Sequence, residues 1–208
     1  MIIIANGTTH ACIVEEIFGK RIAKEKFSVG IISKGEGIIT SNELKLPPVI
    51  LIKRSLSNIS KDDAIKKLRK GDVFIKGANA IDAYNNVGIL VSEYDGGTIG
   101  EALPFIQSRK ASLIISASLE KIIPSVLKAE KVMGLREYNF CRGIPVGMIV
   151  LSEGQVITEI EAFKLLFDIK AILVTAGGIN RYEGFITLVC KGEKKLRNLM
   201  ALVDKLAD

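Results

Sequence analysis

Apolar residues along this chain come in two rhythms. Short runs rich in Ile, Val, Leu and Ala stand at 2–5, 73–78, 87–91, 111–117 and 144–151, with the length and composition of buried strands. Between such runs, apolar positions recur at helical spacing. Ile13, Val14, Ile17 and Phe18 make one such face, with Glu15 and Glu16 turned away and Gly19 placed to close the helix. Residues 124–133 read as a further helix stopped by Gly134, and Leu196, Leu199, Met200, Val203 and Leu206 form one apolar stripe on a closing helix.

Glycine, proline and asparagine punctuate these elements. Residues 27–40 alternate apolar positions with Gly30, Gly35 and Gly37, which predicts a bent hairpin, and a strand at 49–52 follows Pro47-Pro48. Asn85-Asn86 has hairpin turn chemistry before the strand at 87–91. Thr98 with Glu101, and Thr158 with Glu161, both have capping-box spacing, so Glu101 has a structural job available. Pro104 disturbs the first of these. Either the helix kinks there, or it starts near Pro104 and leaves 96–103 as an open loop. After Thr158, the positions Ile160, Phe163, Leu166 and Phe167 repeat at helical spacing, and strands at 171–175 and 185–190 flank the glycine-bearing loop 176–184.

Composition narrows the class. At 208 residues, 48% hydrophobic and 25% charged, the chain can bury a real core. No apolar run approaches the roughly 18 residues of a membrane span, and the first ten residues lack the basic start and long apolar core of a signal peptide. The expectation is a cytoplasmic protein with no membrane partner. Cys12, Cys141 and Cys190 are scattered and outside any CxxC, as reduced thiols would be. With His10 as the single histidine, no metal site is expected. His10 follows Thr8-Thr9 at a helix start and reads as a plain first-turn residue, although it is also the sole imidazole available as a base.

The net charge of +6 raises the question of nucleic acid. Most of the excess lies at Lys53, Arg54, Lys61, Lys66, Lys67, Arg69, Lys70 and Lys76, against Asp62, Asp63 and Asp72. The acids fall in the first turn after Ser60 and the bases just before Gly71, which complements a helix dipole. No aromatic residue interleaves with the bases as a stacking surface would require. A solvated helix face is expected, and no nucleic-acid partner.

The stretch from Asp72 to Pro124, two apolar runs around a glycine-rich loop, is where a ligand is expected, because such loops lie outside the carboxyl ends of strands in open α/β sheets. Gly7, Thr8 and Thr9 form a second turn of this kind. Its amides and hydroxyls suit a phosphate or carboxylate, and equally one threonine could cap the helix. Glu93 and Asp95 read either as exposed turn residues or as catalytic carboxylates.

These segments resemble the superfamily of ribose-5-phosphate isomerase A, glucosamine-6-phosphate deaminase, the acetate and succinate coenzyme A transferases, and the effector domains of sugar-responsive repressors. Asp72-Val73-Phe74-Ile75-Lys76-Gly77-Ala78-Asn79-Ala80-Ile81-Asp82 is similar to the isomerase strand end "GADEVD" and to the transferase segment "DVALIKA…AD". Asn86-Val87-Gly88-Ile89-Leu90 resembles the transferase "GNLV", Gly96-Gly97 falls at the isomerase glycine run, and residues 113–123 resemble the strand that follows in both. Asn6-Gly7-Thr8-Thr9 is similar to the first phosphate loop "GTGST". The likeness covers about half the chain.

The resemblance implies an α/β fold with an open, mostly parallel Rossmann-like sheet and helices on both faces over residues 1–142. A small C-terminal α+β unit over 143–208, similar to the ferredoxin-like lobe of the isomerase, would pack on it. It also implies an enzyme acting on a phosphorylated sugar or nucleotide-like metabolite without a cofactor, and a homodimer. The phosphate would be held by Gly7, Thr8 and Thr9 with Gly96, Gly97, Thr98 and Gly100. Asn79 would line the substrate, and Asp82 or Glu101 would act as acid/base. Glu93, after Ser92 and before glycines, resembles the catalytic "SENG" segment that the transferases carry in a different part of their fold. The chain departs from the isomerase pattern at Asn79, where an acid stands in the family, and at Glu93-Tyr94-Asp95, where the family has a lysine. A metabolite-sensing module without catalysis, or an acyl-coenzyme A transferase-like protein, is the alternative reading.

Overall fold

The protein is described from a computed structural model covering residues 1–208, with 34, 35, 42, 136, 137, 180–183, 193, 194 and 208 outside the described residues, as are the side chains of 31–33 and 207. The turn of the hairpin expected at 27–40 and the middle of the loop 176–184 therefore lie outside the description.

Strand β1 (Ile2–Ile4) leads into helix α1 (Thr8–Phe18), which Gly19 closes in the left-handed conformation. The hairpin β2 (Gly30–Ser33) and β3 (Glu36–Ile39) follows, then the antiparallel pair β4 (Val49–Ile52) and β5 (Ser55–Leu56). Helix α2 (Lys61–Lys66) starts at Ser60, whose hydroxyl accepts the Asp63 amide. Lys66, Lys67, Arg69 and Lys70 are exposed, so the basic stretch is a solvated face. Strand β6 (Val73–Gly77) is followed by β7 (Ala80–Ile81), β8 (Val87–Val91), α3 (Gly97–Arg109) and β9 (Ser112–Ser116). A 3₁₀ turn (Leu119–Lys121), α4 (Val126–Glu130), β10 (Gly147–Leu151), β11 (Gln155–Ile157), α5 (Glu159–Phe167), β12 (Lys170–Ala176), β13 (Ile186–Lys191) and α6 (Leu196–Ala207) complete the order.

The central sheet has six strands in the order β11-β9-β6-β1-β4-β5. Strands β1, β6, β9 and β11 run parallel, and β4 and β5 add an antiparallel edge. Because successive side chains alternate, Ile3 and Phe74 face one layer while Ile4 and Ile75 face the other. On the first face Ala64, Ile65 and Leu68 after and within α2 pack with Ile99, Ala102 and Ile106 of α3. On the second face Ala11 and Val14 of α1 pack with Phe27. The fold is thus mixed α/β with a mostly parallel central sheet and helices on both faces.

The stretch after residue 142 joins sheets begun before it. Strand β10 pairs with β8, which also pairs with β7, and β11 pairs in parallel with β9. From α5 onward the order helix, two antiparallel strands, helix is the expected one, and Thr158 and Glu161 form the reciprocal capping box at α5. Helix α3 overturns the reading that the helix starts near Pro104 and leaves 96–103 as an open loop. It starts at Gly97 and continues through the proline, held by three buried residues. Among the described residues no helix is long and apolar enough to cross a membrane.

Candidate functional site

The carboxyl ends of β1, β6 and β9 bring together four polar side chains. After β1 the chain turns through Asn6 and Gly7, with the Gly7 amide donating to the Phe27 carbonyl at 2.8 Å. Helix α1 begins at Thr8 without any side-chain cap, so neither threonine caps it. Thr8 and Thr9 are exposed, and the amides of the first helical turn have no partner within the helix.

His10 lies in that first turn and is fully buried. Its Nδ1 is 2.5 Å from the Ala5 carbonyl and its Nε2 is 2.8 Å from Ser116 Oγ. A carbonyl can only accept, so Nδ1–H donates to Ala5, and Nε2 of the neutral ring accepts from the Ser116 hydroxyl. Burial pushes His10 down to about 4; the hydrogen bond to Ala5 opposes this, and the charges of Lys76 and Lys121 reinforce it. The ring is therefore neutral at pH 7.

Lys76 is the penultimate residue of β6 and is half-buried. Lys121, in the 3₁₀ turn beyond β9, donates to the Ala78 carbonyl at 2.9 Å, which fixes its ammonium at the same rim. Burial, and then the nearby charge of Lys121, bring Lys76 down to about 8. Among the described residues no hydrogen-bond acceptor or carboxylate partner is found for the Lys76 ammonium. An open helix start and two cations at one rim make an anion-attracting surface.

Beyond the 3₁₀ turn lies a cleft of about 450 Å³, lined by Asp82, Asn86, Ser152, Thr158 and Glu161 over Leu119 and Ile122. Asp82 is engaged on every side. It accepts from the Tyr84 amide (2.9 Å), the Asn86 amide (3.1 Å), Asn86 Nδ2 (3.0 Å) and the Val126 amide (3.0 Å). Burial favours its neutral form, but these donors outweigh burial and hold the carboxyl below its ordinary value. Asn79 Oδ1 accepts the Leu90 amide at 3.0 Å, tying the end of β6 to β8.

The remaining expected residues build the start of α3. Gly96 caps the helix in the left-handed conformation (φ 78°), and Asp95 accepts the Gly97 amide at 2.9 Å. A Cβ on Gly100 would sit 1.9 Å from the Asp95 carbonyl, and one on Gly97 would sit 3.2 Å from Glu93 Oε2. Thr98 is inside the first turn, and Glu101 Oε2 pairs with Lys61 at 2.6 Å, joining α3 to α2. The structure thus groups Gly7, Thr8 and Thr9 with His10, Lys76, Ser116 and Lys121. It sets Gly96, Gly97, Thr98 and Gly100 on α3, across the sheet from α1, and gives Asp82 to the neighbouring cleft.

Sequence reasoning passed over Lys76, Ser116, Lys121 and the pairing of His10. One signal was available: a lysine inside the buried run Val73-Phe74-Ile75-Lys76 is a charge where only a purpose or a partner offsets desolvation. Among the described residues no three of His, Cys, Asp and Glu come together to hold a metal ion. No family model, no curated protein and no solved structure matches the chain, so its chemistry is read from the residues themselves.

Proposed function

We propose that the protein is an enzyme that binds a small phosphorylated sugar or nucleotide-like metabolite, with the phosphate at the first turn of α1 between Lys76 and Lys121. The observation that carries this reading is the pair of lysines beside an uncapped helix start, one of them without a partner among the described residues. A phosphate there would meet backbone amides and two ammonium groups at once. The sheet is read as Rossmann-like, the protein as a cytoplasmic homodimer, and its kinship as that of the sugar-phosphate isomerases and coenzyme A transferases. As acid/base group the geometry favours the Ser116–His10 pair over Asp82 and Glu101, since both carboxylates already have partners.

Thermal melts with ribose 5-phosphate, other sugar phosphates and coenzyme A test this reading. A ligand at ten times its dissociation constant adds about 1.4 kcal/mol, enough to raise the melting temperature by several degrees. Lys121→Met should abolish the rise. Absence of stabilisation by any phosphorylated compound overturns the reading. The occupied carboxylates favour a second one, a sensing module of the same fold, which predicts binding without turnover.

A further inference from the structure

We propose that Lys76 is a reactive amine that forms an imine with the carbonyl carbon of the bound metabolite, so that the ligand class is a phosphorylated aldehyde or ketone. This rests on the phosphate-binding reading above. The residue stands at the carboxyl end of a central parallel strand, half-buried, with no acceptor for its ammonium among the described residues. A structural lysine in that setting would reach a carboxylate or a carbonyl, as Lys121 reaches Ala78 and Lys61 reaches Glu101. Lys76 instead lies within the electrostatic reach of a second ammonium, that of Lys121 held at Ala78. Partial desolvation beside another cation is the arrangement that lowers an amine's proton affinity and frees its lone pair for attack on carbonyls. Its amine titrates at about 8, so a useful fraction is uncharged near neutral pH.

The step is balanced by the amine and the carbonyl alone. Neutral Nζ adds to the carbonyl carbon, and an N–H proton passes to the oxygen. The carbinolamine then loses water to leave the C=N bond. Hydrolysis reverses it, and neither oxidant nor reductant is consumed. Ser116 and the neutral His10 ring, at the same rim, offer a hydroxyl and a base for the proton transfers. Lys121, held by Ala78, is placed to keep the phosphate while Lys76 reacts.

The test is borohydride trapping. The full chain is incubated with glyceraldehyde 3-phosphate, reduced with sodium borohydride, digested and mapped by mass spectrometry. The expected result is at most one adduct per chain, on Lys76, suppressed by inorganic phosphate and at least tenfold slower with unphosphorylated glyceraldehyde. Its rate should rise through pH 8. Lys76→Arg and Lys76→Gln, each checked for an unchanged circular dichroism spectrum, should lose that adduct and leave the slow labelling of surface lysines. Adducts scattered over surface lysines, with Lys76 no faster than they, overturn the proposal. A parallel melt with inorganic phosphate separates the two ideas: stabilisation without Lys76 labelling refutes the imine and leaves the phosphate site standing, whereas loss of both refutes both.

Discussion

At the scale of single residues, burial decides protonation. His10 gives up its second proton because burial disfavours the charged ring; the hydrogen bond to Ala5 opposes this, and the charges of Lys76 and Lys121 reinforce it. Its folded value of about 4 lies below the unfolded value of 6.5, so between these pH values the unfolded chain binds more protons. Stability should therefore be intact above pH 6.5 and fall as pH drops towards 4, by on the order of 3 kcal/mol from this ring alone. Denaturant titrations from pH 4 to 7 should show a steeper loss in the parent than in His10→Gln. Lys76 works with the opposite charge consequence at neutral pH. Its ammonium is strained by desolvation below about 8, and the penalty vanishes above the ordinary 10.5. Lys76→Met should then melt higher than the parent at pH 7, by about 1–3 kcal/mol after allowing for partial exposure, with the gap closing by pH 10.5. A lower melting point for Lys76→Met would contradict this. Asp82→Ala should cost about 2–4 kcal/mol, since it orphans several amide donors, and should leave phosphate stabilisation in place.

At the scale of elements, local signals were legible where one segment could satisfy itself. Ser60 before α2, Gly19 after α1 and the Thr158–Glu161 box before α5 all need only their neighbours, and the sequence spells out each. Thr158→Ala should accordingly cost about 1 kcal/mol, measured by equilibrium unfolding. The same spacing at Thr98 and Glu101 misleads, because the left-handed Gly96, with Asp95 accepting the Gly97 amide, has already started the helix two residues before Thr98. Glu101 is thereby released to Lys61. Pro104 does not mark the helix start for a related reason: its cost is local, whereas the burial of Ile99, Ala102 and Ile106 that holds α3 in the core from Gly97 onward is not. The glycines at 96 and 100 fit this account. Gly100→Ala should unravel the turn into α3, seen as lost helical signal, because its new methyl carbon would overlap the Asp95 carbonyl.

At the scale of the whole molecule, the apolar runs gave away the parallel strands and their α/β class, and the strand, tight turn and helix at 2–18 were legible as well. What could not be read was which strand ends meet. Ser116 and Lys121 look like ordinary polar residues after an apolar run until β9 is laid beside β6 and β6 beside β1. Nor does periodicity tell that β10 and β11 return to sheets begun much earlier, which draws the last third of the chain into the same body.

The hydrogen bond from Ser116 to His10 closes a loop of 106 residues, and Lys121 reaches Ala78 across 43. Closing such loops is slow, since chain entropy is spent before the distant contact rewards it. The anion surface therefore has no existence in a nascent chain that has made only β1 and α1, however well that first helix forms. In refolding experiments, any stabilisation by phosphate at the proposed site should return after the helical signal, and phosphate added early should leave the folding rate unaltered.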